Sequence, residues 1–280
     1  MESLEGKTAV VTGGASGMGL AFAQRFGQAG MRVVVGDIER GALDAAVEGL
    51  KEAGIEALGV VTDVSSGSSM EALLSASLAA YDHVNVVCLN AGVAGAAGRS
   101  WALGVSDWEW TLGVNLWGVI HGIRVFVPHL LSHGDGHVVT TASIAGHLSA
   151  PYGAPYNVSK HGVVTMTESL AHELKLEGST VGVTLLCPGF VSTNIGTSHR
   201  NRPDALGGAE LDERGARWLD RAKRALAAGK PPAEVADLVH DAVLANQFYL
   251  FTDEIWDGPI AQRHAEIRER QPPTLGRPGR

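Results

Sequence analysis

Tyr156 and Lys160 stand four residues apart in Tyr156-Asn157-Val158-Ser159-Lys160. On a helix that spacing stacks both side chains on one face. A phenol with an ordinary pKa near ~10 is a poor base at neutral pH. An ammonium beside it favours the phenolate and makes the tyrosine usable as a general acid and base. Upstream, Ser143 closes the apolar run His137-Val138-Val139-Thr140-Thr141-Ala142. Such a run reads as a strand, which places a hydroxyl at its C-terminal end, near the start of the helix carrying Tyr156. Tyr-x-x-x-Lys by itself is a common pairing. It gains force from a second motif far upstream.

That motif is Thr12-Gly13-Gly14-Ala15-Ser16-Gly17-Met18-Gly19, directly after the apolar run Thr8-Ala9-Val10-Val11. A helical pattern follows from Leu20 to Phe26 and is closed by Gly30. Strand, glycine turn and helix form the context in which a chain binds a dinucleotide. The glycines admit a pyrophosphate close to the backbone, and the helix N-terminus supplies unpaired N–H groups and a positive dipole end. The next strand, Arg32-Val33-Val34-Val35-Gly36, ends at Asp37, placed to accept hydrogen bonds from a ribose diol. The plain alternative is a tight turn in a chain with 36 glycines. Position, flanking elements and the acidic residue together argue against it.

With these motifs the chain resembles the short-chain dehydrogenase/reductase family. Its glycine spacing is that family's T-G-x-x-x-G-x-G. Further landmarks come in order: Asp63-Val64, Asn90-Ala91-Gly92, Asn115, Ser143, Tyr156, Lys160, then Pro188-Gly189 and Thr193. The resemblance implies an NAD-dependent oxidoreductase that interconverts a secondary alcohol and a ketone. Under it, Tyr156 exchanges the proton with the substrate oxygen and Ser143 hydrogen-bonds that oxygen. Lys160 lowers the tyrosine pKa and binds the nicotinamide ribose, while Asn115 holds a water that links Lys160 to solvent. Asp63 and Val64 border the adenine, and Asn90, Ala91 and Gly92 lie along the cofactor. Pro188, Gly189, Val191 and Thr193 line the nicotinamide. Asp37 is followed by Ile38, and Ser16 stands where NADP enzymes of the family often carry Arg or Lys. A carboxylate accepts from a 2′-hydroxyl but repels a 2′-phosphate, so NAD is expected over NADP. Arg40 is the residue that could reach a phosphate. An NADP-dependent ketone reductase and a catalytically silent NAD-binding sensor are the alternatives, and the complete Asn115/Ser143/Tyr156/Lys160 set argues against the silent one.

Composition narrows the rest. Thirty acidic against 22 basic residues give a net charge of −8, without a Lys/Arg block of the kind a nucleic-acid surface needs. The acidic start Met1 to Lys7 runs straight into a strand, so no signal peptide is expected. No apolar run approaches the ~20 residues that span a membrane. A cytoplasmic protein is the expectation. Cys88 and Cys187 each lie in an apolar strand and read as buried thiols. His129 and His133 are spaced i,i+4, yet no third ligand stands near them in the sequence, so a plain surface face and no catalytic metal are expected.

Strand-like runs at 7–12, 31–37, 56–62, 84–90, 136–142, 180–187 and 247–252 alternate with helical patterns near 17–29, 39–54, 67–81, 106–133, 154–177 and 232–246. This pattern predicts an α/β, Rossmann-type, doubly wound parallel sheet of about seven strands with helices on both faces. A single domain over 1–280 is expected, with a substrate lid near 190–231 and a C-terminal tail from 253 to 280. The lid holds an amphipathic piece from Leu211 to Leu226. The tail departs from the family, with Phe251 to Pro259 in place of a Gly-rich turn. Apolar stretches around Val114 to Ile123 and Val163 to Leu170 predict a homodimer or a tetramer built from such dimers. Specificity falls to the loops 93–101 and 144–152 and to the lid. Trp101 is the aromatic candidate for facing substrate, and Ile144, His147, Leu148 and Tyr152 are further wall candidates. These linings suit a bulky, largely uncharged alcohol or ketone, aromatic or terpenoid in kind. An anionic substrate would call on Arg99, Arg200 or Arg202.

Overall fold

Runs rich in β-branched residues make the strands of the computed structural model, which describes residues 1, 3–207 and 213–276. They are β1 (Thr8–Thr12), β2 (Arg32–Asp37), β3 (Ala57–Val61), β4 (Val86–Leu89), β5 (His137–Thr141), β6 (Gly182–Cys187) and β7 (Tyr249–Phe251). β1, β4, β5 and β6 are buried along their whole length, as a parallel sheet covered on both faces requires. Every neighbouring pair is parallel, in the order β3-β2-β1-β4-β5-β6-β7. The chain reverses its winding between β1 and β4. A crevice therefore opens there at the strand C-termini.

The helices are α1 (Gly17–Gln28), α2 (Arg40–Glu52), α3 (Gly67–Tyr81), α4 (Val105–Leu112), α5 (Gly118–His133), α6 (Ala154–Leu176), α7 (Glu213–Ala227), α8 (Pro232–Ala245) and α9 (Asp257–Glu269). Alternate strand residues feed two cores, one on each face. Val11, Val33, Val35 and Leu186 pack with Phe22 and Phe26 of α1, Leu43 and Leu50 of α2, and Val235 and Val239 of α8. Val10, Val34, Val87 and Val138 pack with Met70 and Leu73 of α3, Phe126 and Leu130 of α5, and Val163 and Leu170 of α6. Truncating a fully buried member such as Phe126 to alanine costs about 3–5 kcal/mol.

Four expectations need correction. The helix expected over 106–133 is interrupted by a π-helical turn, Gly113–Trp117, which carries Asn115. The whole stretch Val105–His133 is long and apolar enough to cross a membrane, contrary to the reading that no segment comes near. Its physical reason is the core: Val119, Ile123, Phe126, Val127 and Leu130 are buried. For the same reason, much of the apolarity expected to face a second copy is spent inside the chain, Val163, Val164 and Leu170 included; Trp117 and Val158 stay about half exposed, at 50% and 48%. Finally, His129 and His133 gain a third histidine. The loop between α3 and β4 brings up His83, so that one ring nitrogen from each residue lies within 4.8 Å of the others.

The lid region contains short 3-10 turns, Asn194–Asn201 and Asp204–Leu206, followed by α7. Leu211 and Asp212 of its amphipathic piece, and the tail beyond 276, lie outside the described residues. The atypical C-terminal segment forms a 3-10 turn, Glu254–Trp256, and α9.

Candidate active site

The ends of β1, β4 and β5 are tied together beneath the crevice. Thr12 Oγ1 donates to the Cys88 carbonyl (3.3 Å) and accepts from the backbone N–H of Asn90 (2.9 Å) and Ala91 (3.2 Å). Asn90 returns its amide N–H to the Thr12 carbonyl (3.1 Å) and accepts from Thr141 Oγ1 (3.3 Å). The glycine turn packs too closely on this frame for side chains. A Cβ at Gly13, whose φ is +62°, would lie 2.8 Å from Ala91 Cα, and one at Gly19 would lie 2.1 Å from the Gly13 carbonyl oxygen. Ser16 begins α1 without a side-chain cap, so the first-turn amides keep their unpaired donors. Asp37 is held at the end of β2 by backbone N–H groups of Ala15 and Glu39, each 3.0 Å from a carboxylate oxygen.

Ser143 follows β5 and accepts from the Ala145 N–H at 3.1 Å. Tyr156 and Lys160 lie in the first turns of α6, with Pro155 at its N-terminal end, where a missing N–H costs nothing. Burial raises the Tyr156 pKa, and a hydrogen bond with Ser143 opposes that rise. The buried Lys160 Nζ donates to the Thr141 carbonyl at 2.8 Å and sits 5.7 Å from the centre of the Tyr156 ring. Burial brings the lysine down to about 8. Desolvation of the phenolate is thus the largest influence on Tyr156, and the lysine amine beside it is engaged by a carbonyl.

Asn115, fully buried, spends its side chain on structure. Its Oδ1 accepts from Val93 N (2.8 Å), and its Nδ2 donates to the Val93 carbonyl (2.9 Å) and Ser159 Oγ (3.1 Å). It fastens the loop after β4 to α6 from behind the wall of the cleft.

One continuous cleft is lined by Gly13, Ser16, Gly17, Met18, Asp37, Ile38, Asp63, Val64, Asn90, Ala91, Gly92, Ser143, Tyr156, Lys160, Pro188, Gly189, Val191 and Thr193. Of the positions read from the sequence, Gly19 and Asn115 are not in its lining. Val93 of the loop 93–101 and Ile195, Ser198, Asn201 and Leu226 of the lid also line it, as the assignment of those segments to the substrate pocket implies, while Glu39 and Val114 are site residues that sequence reasoning passed over. Trp110 lines the cleft in place of Trp101, which is 82% exposed. Neither the loop 144–152 nor Arg40 contributes to the lining. His147 turns away, contacting Cys187 Sγ at 3.3 Å and the Phe251 ring.

Three ties hold the lid over this cleft. Glu39 accepts from Arg200 (2.7 Å) and Asn201 (2.8 Å), and their hydrogen bonds lower its pKa. Ser198 Oγ accepts from the Ala94 N–H at 2.9 Å. Arg202 pairs with Asp107 at 2.6 Å, both side chains nearly buried, and lies over the Trp110 ring. Two of the three arginines offered for an anionic substrate are thereby paired with carboxylates. The C-terminal segment also has a place: Gly189 N–H donates to Thr252 Oγ1 (3.0 Å), whose hydroxyl donates to Asp253 (2.6 Å).

Comparison with known proteins agrees with this geometry. The short chain dehydrogenase family model matches residues 7–204. A 1-deoxy-11-beta-hydroxypentalenate dehydrogenase of Streptomyces avermitilis is 34% identical, over 89% of this chain and 86% of that protein. A short-chain dehydrogenase/reductase from Burkholderia phymatum, solved in complex with NAD, superposes with a TM-score of 0.95 at 42% identity, covering 98% of each chain. A variant actinorhodin polyketide ketoreductase, solved with NADPH, has a TM-score of 0.74 at 32% identity, covering 90% of this chain and 97% of that one. Among these relatives are dehydrogenases of hydroxy compounds and ketoreductases. A parallel seven-stranded sheet, a glycine turn at its switch point and a Ser/Tyr/Lys group in the same cleft thus accompany a match over most of the chain: this protein belongs to the short-chain dehydrogenase family of oxidoreductases.

Proposed function

We propose that the protein interconverts a secondary alcohol and a ketone with NAD as the electron carrier. The observation that carries this reading is the convergence of Ser143, Tyr156 and Lys160 with Asp37 and the glycine turn on one cleft. The residues present fit a dinucleotide: the glycine turn packs close on the strand ends, the first-turn amides of α1 have no side-chain cap, and Asp37 lines the same cleft. Amides at the start of α1 and Ser16 to Gly19 would hold the diphosphate. Asp37 would take the adenosine ribose, and Asp63 with Val64 the adenine. Asn90, Ala91, Gly92, Pro188, Gly189, Val191 and Thr193 would hold the nicotinamide end. Once bound, the nicotinamide supplies the chemistry of hydride exchange.

The chain's own residues manage the proton. Tyr156 Oη gives the proton to the ketone oxygen, or takes it from the alcohol, and Ser143 Oγ hydrogen-bonds the same oxygen. Lys160, whose amine burial has brought to about 8, is ready to exchange a proton near neutral pH. Asn115 ties Val93 of the loop after β4 to Ser159, the neighbour of Lys160, and the second lone pair of its Oδ1 would hold the water that leads from Lys160.

NAD over NADP is supported by the electrostatics around Asp37. The next two residues are Ile38 and the carboxylate Glu39, and the cleft's Arg200 is engaged by Glu39. A 2′-phosphate would meet two carboxylates before any unpaired guanidinium. The substrate end of the cleft is walled by Val93, Trp110, Val114, Ile195 and Leu226, which suits a bulky, uncharged alcohol. In solution we propose a homodimer, or a tetramer of such dimers, resting on half-exposed Trp117 and Val158; light scattering that gives a monomer at micromolar concentration would remove it. The functional test is NADH formation across a panel of cyclic, aromatic and small charged secondary alcohols, run with both cofactors. Turnover of the bulky neutral members with NAD is the expected result. A higher kcat/KM with NADP, or activity confined to small hydroxy acids, would overturn the reading.

A further inference from the structure

A second cluster of potential ligands lies at the opposite end of the sheet from the cleft. His83 stands in the loop that enters β4, and His129 and His133 occupy successive turns at the C-terminal end of α5. Their ring centres are 5.0 Å (His129–His133), 5.4 Å (His83–His133) and 6.2 Å (His83–His129) apart. They come from two segments, and the i,i+4 spacing of His129 and His133 does not announce His83.

The hydrogen bonds define which lone pairs are available. His133 Nε2 lies 3.1 Å from the Val84 carbonyl, an acceptor only, so that nitrogen carries the proton. Its Nδ1 then holds the lone pair, met among the described residues only by a long 3.3 Å contact from the Asp135 N–H. An imidazole that donates one nitrogen to a backbone carbonyl and turns the other outward is the usual state of a metal-ligating histidine. His129 Nε2 accepts from the Val84 N–H at 3.1 Å, and a metal using that nitrogen would replace this one bond. His83 is exposed and free to rotate toward the pair, its ring engaged among the described residues only by the other two rings.

We propose that His83, His129 and His133 form a zinc site. Three imidazoles without a carboxylate suit Zn²⁺, Ni²⁺ or Cu²⁺ and disfavour Ca²⁺ or Mg²⁺. Tetrahedral zinc with nitrogen ligands at ~2.0–2.1 Å requires the ring nitrogens to close to about 3.4 Å, a movement that falls mainly on the exposed His83. Solvent supplies the fourth ligand. The ion clamps the loop before β4 to the end of α5. It works as a structural staple, because the reacting groups lie at the other ends of β4 and β5.

The test uses tag-free protein, stripped with chelator, exchanged into clean buffer and titrated with ZnCl₂ in a calorimeter. One zinc per chain in the micromolar range is expected, together with a zinc-dependent rise in Tm. His83→Ala removes an exposed side chain and leaves the fold intact. It should weaken uptake by at least ~10-fold and abolish the Tm shift, as loss of a metal-supporting group does. His172→Ala, exposed and outside the cluster, should change neither. Absence of saturable uptake in the parent, or uptake by His83→Ala equal to the parent's, would overturn the proposal.

Discussion

Replacing Gly19 by alanine adds a single methyl group where the structure has no room. Its Cβ would lie 2.1 Å from the Gly13 carbonyl oxygen and 2.8 Å from Asn90 Nδ2, and ordinary contact begins near 3.4 Å. Both neighbours are fixed: Gly13 is backbone, and Asn90 is bonded to Thr12 and Thr141. The start of α1 must therefore retreat from the turn by about 1 Å. Overpacking of this kind costs about 1–3 kcal/mol. Where that cost falls on the geometry holding the diphosphate, affinity drops by ~5- to 150-fold, since each ~1.4 kcal/mol is a factor of ten. Gly49→Ala on α2 is the control, because its Cβ would meet no heavy atom within 4 Å. It should raise stability by about 0.5–1 kcal/mol through helix propensity alone. NADH fluorescence titration and thermal melts read both variants. Gly19→Ala binding NADH within twofold of the parent would refute the argument that close packing at the turn shapes the cofactor site.

Three further outcomes follow from single interactions. Asp107→Asn leaves Arg202 buried without its counter-charge, which costs about 3–5 kcal/mol; thermal melts should show the loss, and the Asp107→Leu/Arg202→Met double variant should recover most of it. Asp37→Ala removes the carboxylate facing the ribose and should lower the NAD-to-NADP ratio of kcat/KM by at least ~10-fold; an unchanged ratio would show that Asp37 does not set cofactor choice. His137 is buried, and burial drives its pKa to about 3. The unfolded chain takes up that proton below about pH 6.5 and the folded chain does not, so stability falls as pH drops from 6.5 toward 3. At pH 5 the loss is about 2 kcal/mol, readable as a shift in urea midpoint that His137→Gln should reduce.

The strands and most helices were legible because buried parallel strands are apolar throughout, and glycine turns mark where they end. Tyr156, Lys160, Ser143 and the glycine turn were equally legible, because their chemistry depends on fixed local spacing. What stayed hidden depends on distance in the chain. Glu39 and Arg200 meet only when the lid folds over the second strand's end, and Trp110 rather than Trp101 reaches the cleft because α4 turns it inward. The π-helical turn at Asn115 has no signature in residue type, as the flanking sequence reads as one continuous helix. The burial of the phenol stayed hidden as well, because helical spacing reports adjacency and says nothing of desolvation. His83 joined His129 and His133 by the same long-range route.

The central claim is that Tyr156 carries the proton between substrate and protein. Its most direct test is Tyr156→Phe, which deletes one oxygen and leaves the ring, with turnover measured on an alcohol that the parent oxidises and NADH affinity measured alongside. Loss of a general acid/base group typically costs ~10²–10⁴-fold, so kcat should fall by at least about 100-fold while NADH affinity stays within a few-fold of the parent's. Parental turnover in the Tyr156→Phe variant would contradict the account.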